Sequence, residues 1–349
     1  MASTIIGHDE IIHALDRAVH EGRVHHAYLL CGPPRVGKTT VGRWLALRLN
    51  CTGSDPPCEQ CPDCRAIRAG TYPDVRAIQL STDRDPTLGL ALDLPPRPQR
   101  AAERVIGIDQ VRALQRDAAL APHRARWKVY LLPGAESLSL EAANCLLKTL
   151  EEPPPQVVLV LTAVDPGSLP ATVVSRCQIL RLAPVPTAAI AAALAARYNC
   201  PSDRAALLAR LSGGRPGWAI DAAARDEPLA ERAQDLADLN AALTDSLRAR
   251  LALAERLATE FGRDPARVVR TLGTWQIYWW DVRLVQLGCS DLITNLDRQE
   301  ELTSLAEQLA PSLVDRQVGS TATALQRLLQ NVNPRLALEA LLLATPTHR

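Results

Sequence analysis

Apolar residues recur at helical spacing near the start of the chain, where Ile11, Ile12, Leu15, Ala18 and Val19 share one face. This predicts a helix over 9–20, with Gly22 as its stop. The uninterrupted run Ala27-Tyr-Leu-Leu-Cys31 then predicts a strand buried on both faces. A turn-rich stretch, 32–39, precedes a second helical pattern over 40–49 built on Val41, Trp44, Leu45 and Leu49. Further strands are predicted at 75–80, 128–132, 157–162 and 178–182. Helices are predicted at 109–120, 138–151 and, briefly, 169–175. Asp-Pro, Pro-Pro and Arg-Pro steps mark 81–103 as a long surface loop. Alternating strands and helices with continuous apolar strands predict a parallel α/β sheet covered by helices on both faces.

That alternation stops at the linker Ala183-Pro-Val-Pro186, and only Ala- and Leu-rich helical patterns follow, with a break at 225–228. The pattern therefore predicts three domains: an α/β domain over 1–183, a small helical domain over 184–225 and a larger helical one over 226–349. A length of 349 residues exceeds what one core usually holds and agrees with several domains. The composition, 47% hydrophobic and 22% charged, is that of a globular chain, and a net charge of +1 gives no support for a nucleic-acid clamp over the whole surface. No basic and apolar leader opens the sequence, and Val157–Leu161 is far too short to cross a bilayer, so a cytoplasmic location is expected.

Lysine occurs only at Lys38, Lys128 and Lys148, and all the other basic residues of the 39 are arginine. One of the three sits in Gly32-Pro33-Pro34-Arg35-Val36-Gly37-Lys38-Thr39, followed by Thr40, which fits G-x-x-x-x-G-K-[ST] between a predicted strand and a predicted helix. Backbone N–H groups of such a loop turn inward onto phosphates, a lysine reaches the β/γ-phosphates, and the hydroxyl of Thr39 can hold Mg²⁺. Hydrolysis also needs acids at the end of a neighbouring strand, to hold the metal and orient water. The candidate strand ends instead in Pro133-Gly134, and Glu136, two residues on, is not expected to reach the same point.

Cys51, Cys58, Cys61 and Cys64 place four thiols within fourteen residues, in two overlapping C-x-x-C steps. Thiolates at this spacing suit a closed, tetrahedral structural Zn²⁺; disulfides are the alternative, less suited to a reducing compartment. The other cysteines (31, 145, 177, 200 and 289) stand singly in apolar contexts and are expected to be small core residues. Ser175-Arg176-Cys177, before the last strand, leaves two readings. Arg176 either pairs with a nearby carboxylate or stabilises phosphoryl charge in a neighbouring subunit.

Together these segments resemble the bacterial clamp-loader branch of the AAA+ ATPases. The resemblance rests on His26-Ala-Tyr-Leu-Leu-Cys-Gly-Pro-Pro34, the cysteine module directly after the next helix, and Ala143-Asn-Cys-Leu-Leu-Lys-Thr-Leu-Glu-Glu-Pro-Pro154. Thr162 at a strand end and Ser175-Arg-Cys177 complete it. It covers 5–182 closely and 183–225 by a helical lid pattern; the remainder agrees in length and helical character. The resemblance implies a pentamer with gamma/tau and delta subunits that opens a sliding clamp and places it on primed DNA. It also implies Arg176 offered in trans to a neighbour's ATP, and a helical collar over 226–349. The gamma/tau motor type keeps two acids where this chain has Pro133-Gly134, and an arginine where it has Pro216, with Arg215 one position away. The departures favour the delta-prime type, a stator in which ATP and Mg²⁺ are candidate ligands without turnover. The gamma/tau-type hydrolysing motor is the alternative. A zinc-dependent DNA-binding module is disfavoured, because aromatics are few and no basic stripe flanks the cysteines. The apolar set Leu272, Trp275, Tyr278, Trp279 and Val282 is expected either to pack into the collar or to form an ordinary core.

Overall fold

The computed structural model describes residues 5–79, 90–91, 105–244, 246–330 and 332–346. They fall into two compact units, residues 1–190 with 214–217, and residues 191–213 with 218–349.

The first unit runs α1 (Asp9–His20), β1 (Ala27–Cys31), α2 (Lys38–Asn50), α3 (Pro62–Arg68), β2 (Val75–Ala77), β3 (Leu90–Ala91), α4 (Ile108–Ala118), β4 (Lys128–Leu132), α5 (Leu140–Glu151), β5 (Val157–Ala163), α6 (Ala171–Val174) and β6 (Gln178–Arg181). The strands form one parallel sheet in the order β3-β2-β4-β5-β1-β6. Its continuous apolar strands have a direct cause: successive residues enter opposite cores. Tyr28 and Leu30 of β1, with Val129 and Leu131 of β4, face a layer built by α1, α2 and α3. Ala27, Leu29 and Cys31, with Tyr130 and Leu132, face α4, α5 and α6. β1 lies between β5 and β6, so the loop after it opens where strand order reverses, at the carboxyl ends of the strands.

Differences from the expected elements are local. α2 begins at Lys38 rather than residue 40, because Gly37 at φ 117° turns the chain directly into the helix. β2 ends at Ala77, and α3 was not anticipated within the cysteine module. Leu90–Ala91 adds a short parallel strand inside the expected 81–103 loop, whose other residues lie outside the described residues.

The second unit is helical, with no strand among its described residues. α7 (Thr187–Tyr198), α8 (Ser202–Leu211) and α9 (Pro216–Ala224) precede α10 (Glu227–Thr244), α11 (Leu247–Arg263), α12 (Pro265–Gln286), α13 (Gln299–Gln308), α14 (Pro311–Leu329) and α15 (Pro334–Ala344). Leu272, Trp275, Tyr278, Trp279 and Val282 of α12 are buried inside this unit with side chains of α10, α11, α13, α14 and α15. Of the two readings of that set, the structure gives the domain core. Asp235 seats it, accepting from Arg267 Nη2 at 2.6 Å and Thr271 Oγ1 at 3.0 Å, while its carbonyl accepts from Trp275 Nε1 at 2.6 Å. Among the described residues no helix is long and apolar enough to cross a membrane.

Candidate functional site

The loop after β1 is held from several sides of the first unit. Gly32 N–H reaches Ala163 O at 3.2 Å and Val164 O at 3.1 Å, and a Cβ on Gly32 would meet Leu182 O at 2.4 Å, so only glycine fits there. His8 Nε2 lies 3.0 Å from Val36 O, and Gly217 N–H donates to Arg35 O at 3.0 Å. Arg35 adopts φ 63°, a left-handed conformation that a side chain rarely takes. Lys38, Thr39 and Thr40 form the first turn of α2, where unpaired N–H groups and the helix dipole favour an anion. Lys38 Nζ donates to Gly32 O at 2.6 Å and Pro33 O at 2.8 Å, so the ammonium lies over the loop. Burial lowers the Lys38 pKa, and Glu136 and Cys31 oppose that shift. Glu136 stands on a short 3-10 turn over Ala135–Ser137 and acts on the lysine through its charge.

β4 delivers Pro133 and Gly134 to the strand end. Gly134 is left-handed at φ 65°, and its N–H donates to Thr162 Oγ1 at 3.1 Å. Neither residue supplies a carboxylate.

The four cysteines converge. Cys51 follows α2, Cys58 lies in the intervening turn, and Cys61 caps α3, with Cys64 in that helix's first turn. Their four sulfurs lie within 4.8 Å of one another, and no other such group of potential ligands occurs among the described residues. A tetrahedral Zn²⁺ with Zn–S of about 2.3 Å requires sulfurs about 3.8 Å apart, a contraction of roughly an ångström from the outer limit here. Backbone N–H groups already serve the sulfurs: Gly53 and Cys58 on Cys51 at 3.3 Å, Cys61 on Cys58 at 3.3 Å, and Cys64 on Cys61 at 3.4 Å. A Cβ on Gly53 would meet Cys58 Sγ at 2.7 Å, so the cradle closes tightly around the sulfurs. All four are free thiols, and the donor set fits a closed Cys₄ metal centre. Burial raises the Cys51 and Cys64 thiols; at Cys61 burial is outweighed by donors from Cys64 and Thr52, which bring it down to about 6.

Sequence reasoning missed the shell around that module. Asp63 accepts from Thr52 Oγ1 at 2.9 Å and pairs with Arg124 Nη2 at 2.7 Å, joining α3 to the segment before β4. Buried Asp74 accepts from the N–H groups of His123, Arg124 and Ala125, each at 2.8 Å, and fixes that segment. No local pattern marks these partners: Thr52 and Asp63 are 11 residues apart, and Asp74 lies 49 or more from the N–H groups it accepts.

Arg176 lies in the turn after α6. Its Nη2 pairs with Glu151 Oε1 at 2.7 Å, while Nη1 donates to Thr172 O at 2.9 Å and Ser175 Oγ at 3.3 Å. The side chain keeps 35% of its exposure. The Gly32–Thr39 loop, the cysteines and Arg176 all belong to the first unit, and the cysteines form a cluster of their own.

A parallel sheet of six strands with the glycine-rich loop after β1, a helix beginning at the loop lysine and a helical remainder define an AAA+-type fold. The family model "DNA polymerase III, delta subunit" matches residues 7–186, and "DNA polymerase III, delta subunit, C terminal" matches residues 244–346. The chain belongs to this DNA polymerase III clamp-loader family. It is 38% identical to the DNA polymerase III subunit tau of Salmonella typhimurium over 175 residues, half of this chain and 24% of that protein's length. It is 27% identical to the DNA polymerase III subunit delta' of Bacillus subtilis over 95% of this chain and 94% of that one. A solved DNA polymerase III gamma subunit-related protein of Thermotoga maritima is similar at 16% identity and a TM-score of 0.41, covering 95% of this chain and 97% of that one.

Proposed function

We propose that the chain is a clamp-loader stator. It completes the active site of an adjoining gamma/tau-type ATPase subunit with Arg176 and does not hydrolyse ATP itself. The observation that carries this reading is the end of β4, where Pro133 and a left-handed Gly134 tied to Thr162 replace the acids that hydrolysis requires. The partly exposed guanidinium of Arg176 supports the second half, because a planar, permanently charged fork suits a transferring phosphoryl group. ATP with Mg²⁺ is the candidate ligand of Gly32–Thr40, with Lys38 on the phosphates and Thr39 at the metal. Cys51, Cys58, Cys61 and Cys64 would hold one structural Zn²⁺, which stiffens the insertion between α2 and β2. We assign residues 184–225 as a lid and 226–349 as a collar that joins the chain to gamma/tau and delta subunits. The pentamer loads a sliding clamp on primed DNA in the cytoplasm. The test is co-assembly with those subunits and measurement of ATPase with and without Arg176. Normal assembly with full ATPase and loading in Arg176→Ala rejects the stator mechanism.

A second reading, the hydrolysing motor, draws on the influence of Glu136 at Lys38. Turnover by the isolated chain, lost in Glu136→Gln, would select it.

A further inference from the structure

We propose that Glu151 is a positioning residue for Arg176, holding its guanidinium in the orientation it presents outward; the inference rests on the trans-acting reading of that arginine. Three atoms seat the group. Glu151 Oε1 takes Nη2 at 2.7 Å, and Thr172 O and Ser175 Oγ take Nη1 at 2.9 and 3.3 Å. They come from two separate elements, the last residue of α5 and the α6 turn, so the fork is oriented and not merely tethered. A free arginine side chain samples many rotamers, and anchoring one part of a rigid fork removes much of that freedom while leaving other N–H donors available.

The placement of Glu151 argues for a purpose beyond stability. It ends α5, and Glu152 follows as the C-cap, so two acids stand at the negative end of the helix dipole, where acids are disfavoured. The pair with Arg176 is half-exposed, 50% on the glutamate side, and such pairs contribute little to folding. A costly position with little folding return is explained if the carboxylate acts on the arginine.

His26 lies close to the backbone of this turn. In the parallel β1–β6 ladder Tyr28 lies opposite Gln178, so two residues back His26 stands beside Arg176. The ring of His26 stacks on His25 at 4.3 Å, and its Nε2 is buried without a hydrogen-bond partner. Burial, then the neighbouring His25, lower its pKa, against the Leu150 and Arg176 carbonyls, which raise it.

The experiment uses the assembled complex with the P-loop lysines of all subunits except the one next to Arg176 disabled, so a single site is read. Glu151→Gln should lower kcat about two- to five-fold at unchanged KM, the scale of an exposed ion pair, with the melting temperature of the chain unchanged. Glu151→Asp should retain more of the rate than Glu151→Gln. The exchange Glu151→Arg with Arg176→Glu, which restores an ion pair but moves the cation, should not recover activity. Unchanged or raised kcat in Glu151→Gln, while Arg176→Ala abolishes turnover, overturns the positioning role. Recovery by the exchange overturns it too, as a purely structural pair would. Full activity in Arg176→Ala instead removes the parent reading.

Discussion

The backbone N–H of Gly134 donates to the hydroxyl of Thr162 over 3.1 Å, locking the end of β4 to the end of β5. Neither Pro133 nor Gly134 supplies a carboxylate at that strand end, so the isolated chain is expected to bind ATP at most, without turnover above background. Lys38→Ala should abolish that binding in a calorimetric titration. Gly134→Glu should not install a working acid, because φ 65° costs a side chain about 1–2 kcal/mol and the Thr162 contact fixes the backbone. Robust hydrolysis by the wild-type chain, lost in Lys38→Ala, would contradict the stator.

Metal analysis of freshly purified protein should find about one zinc per chain. Cys64→Ser removes a buried ligand and should release the metal with a marked fall in melting temperature, as should a strong chelator. Less than a tenth of that zinc, with four reactive thiols, would refute the centre.

Arg176→Ala should leave the fold and nucleotide affinity of the chain intact. On the proposed trans-acting role, the neighbouring site should lose roughly 10³–10⁵ in rate, seen in the proposed pentamer as a partial fall in ATPase and a deeper fall in clamp loading. Arg176→Lys should rescue poorly, since an ammonium lacks the planar fork.

Acid should destabilise the first unit through His26. Its folded pKa lies below the ordinary 6.5, so the unfolded chain binds the proton first. The stability it supports is complete above about pH 6.5 and is lost as pH falls towards the lowered value. Thermal melts from pH 8 to 5 should therefore fall more steeply for the wild type than for His26→Gln. Parallel curves would rule out this contribution.

Asp281 offers a test of the second unit. Its buried carboxylate accepts from Thr294 N–H at 2.9 Å and Asn295 N–H at 2.7 Å, and from Asn295 Nδ2 at 2.6 Å. Asp281→Ala strands those donors and should cost about 3 kcal/mol or more in denaturant unfolding, at about 1–3 kcal/mol for each unsatisfied group.

The local periodicities of the sequence determined the α/β sheet and the helical remainder. Leu29 and Leu30 must both be apolar because neighbouring strand residues enter opposite cores, and a strand with helices on both faces leaves no polar side. The loop Gly32–Thr39 and the cysteine cluster 51–64 were legible for a related reason: each lies within a short stretch of chain, where spacing alone bounds the geometry. Only the tertiary structure decided that Glu151 meets Arg176, that Asp63 meets Arg124, that Glu136 is felt at Lys38, and that Trp275 and Trp279 point inward. These relations join residues on different elements. Which side chains meet there depends on strand register and on how helices pack across a layer, and these are set by the summed packing of the whole unit rather than by any local run of residues.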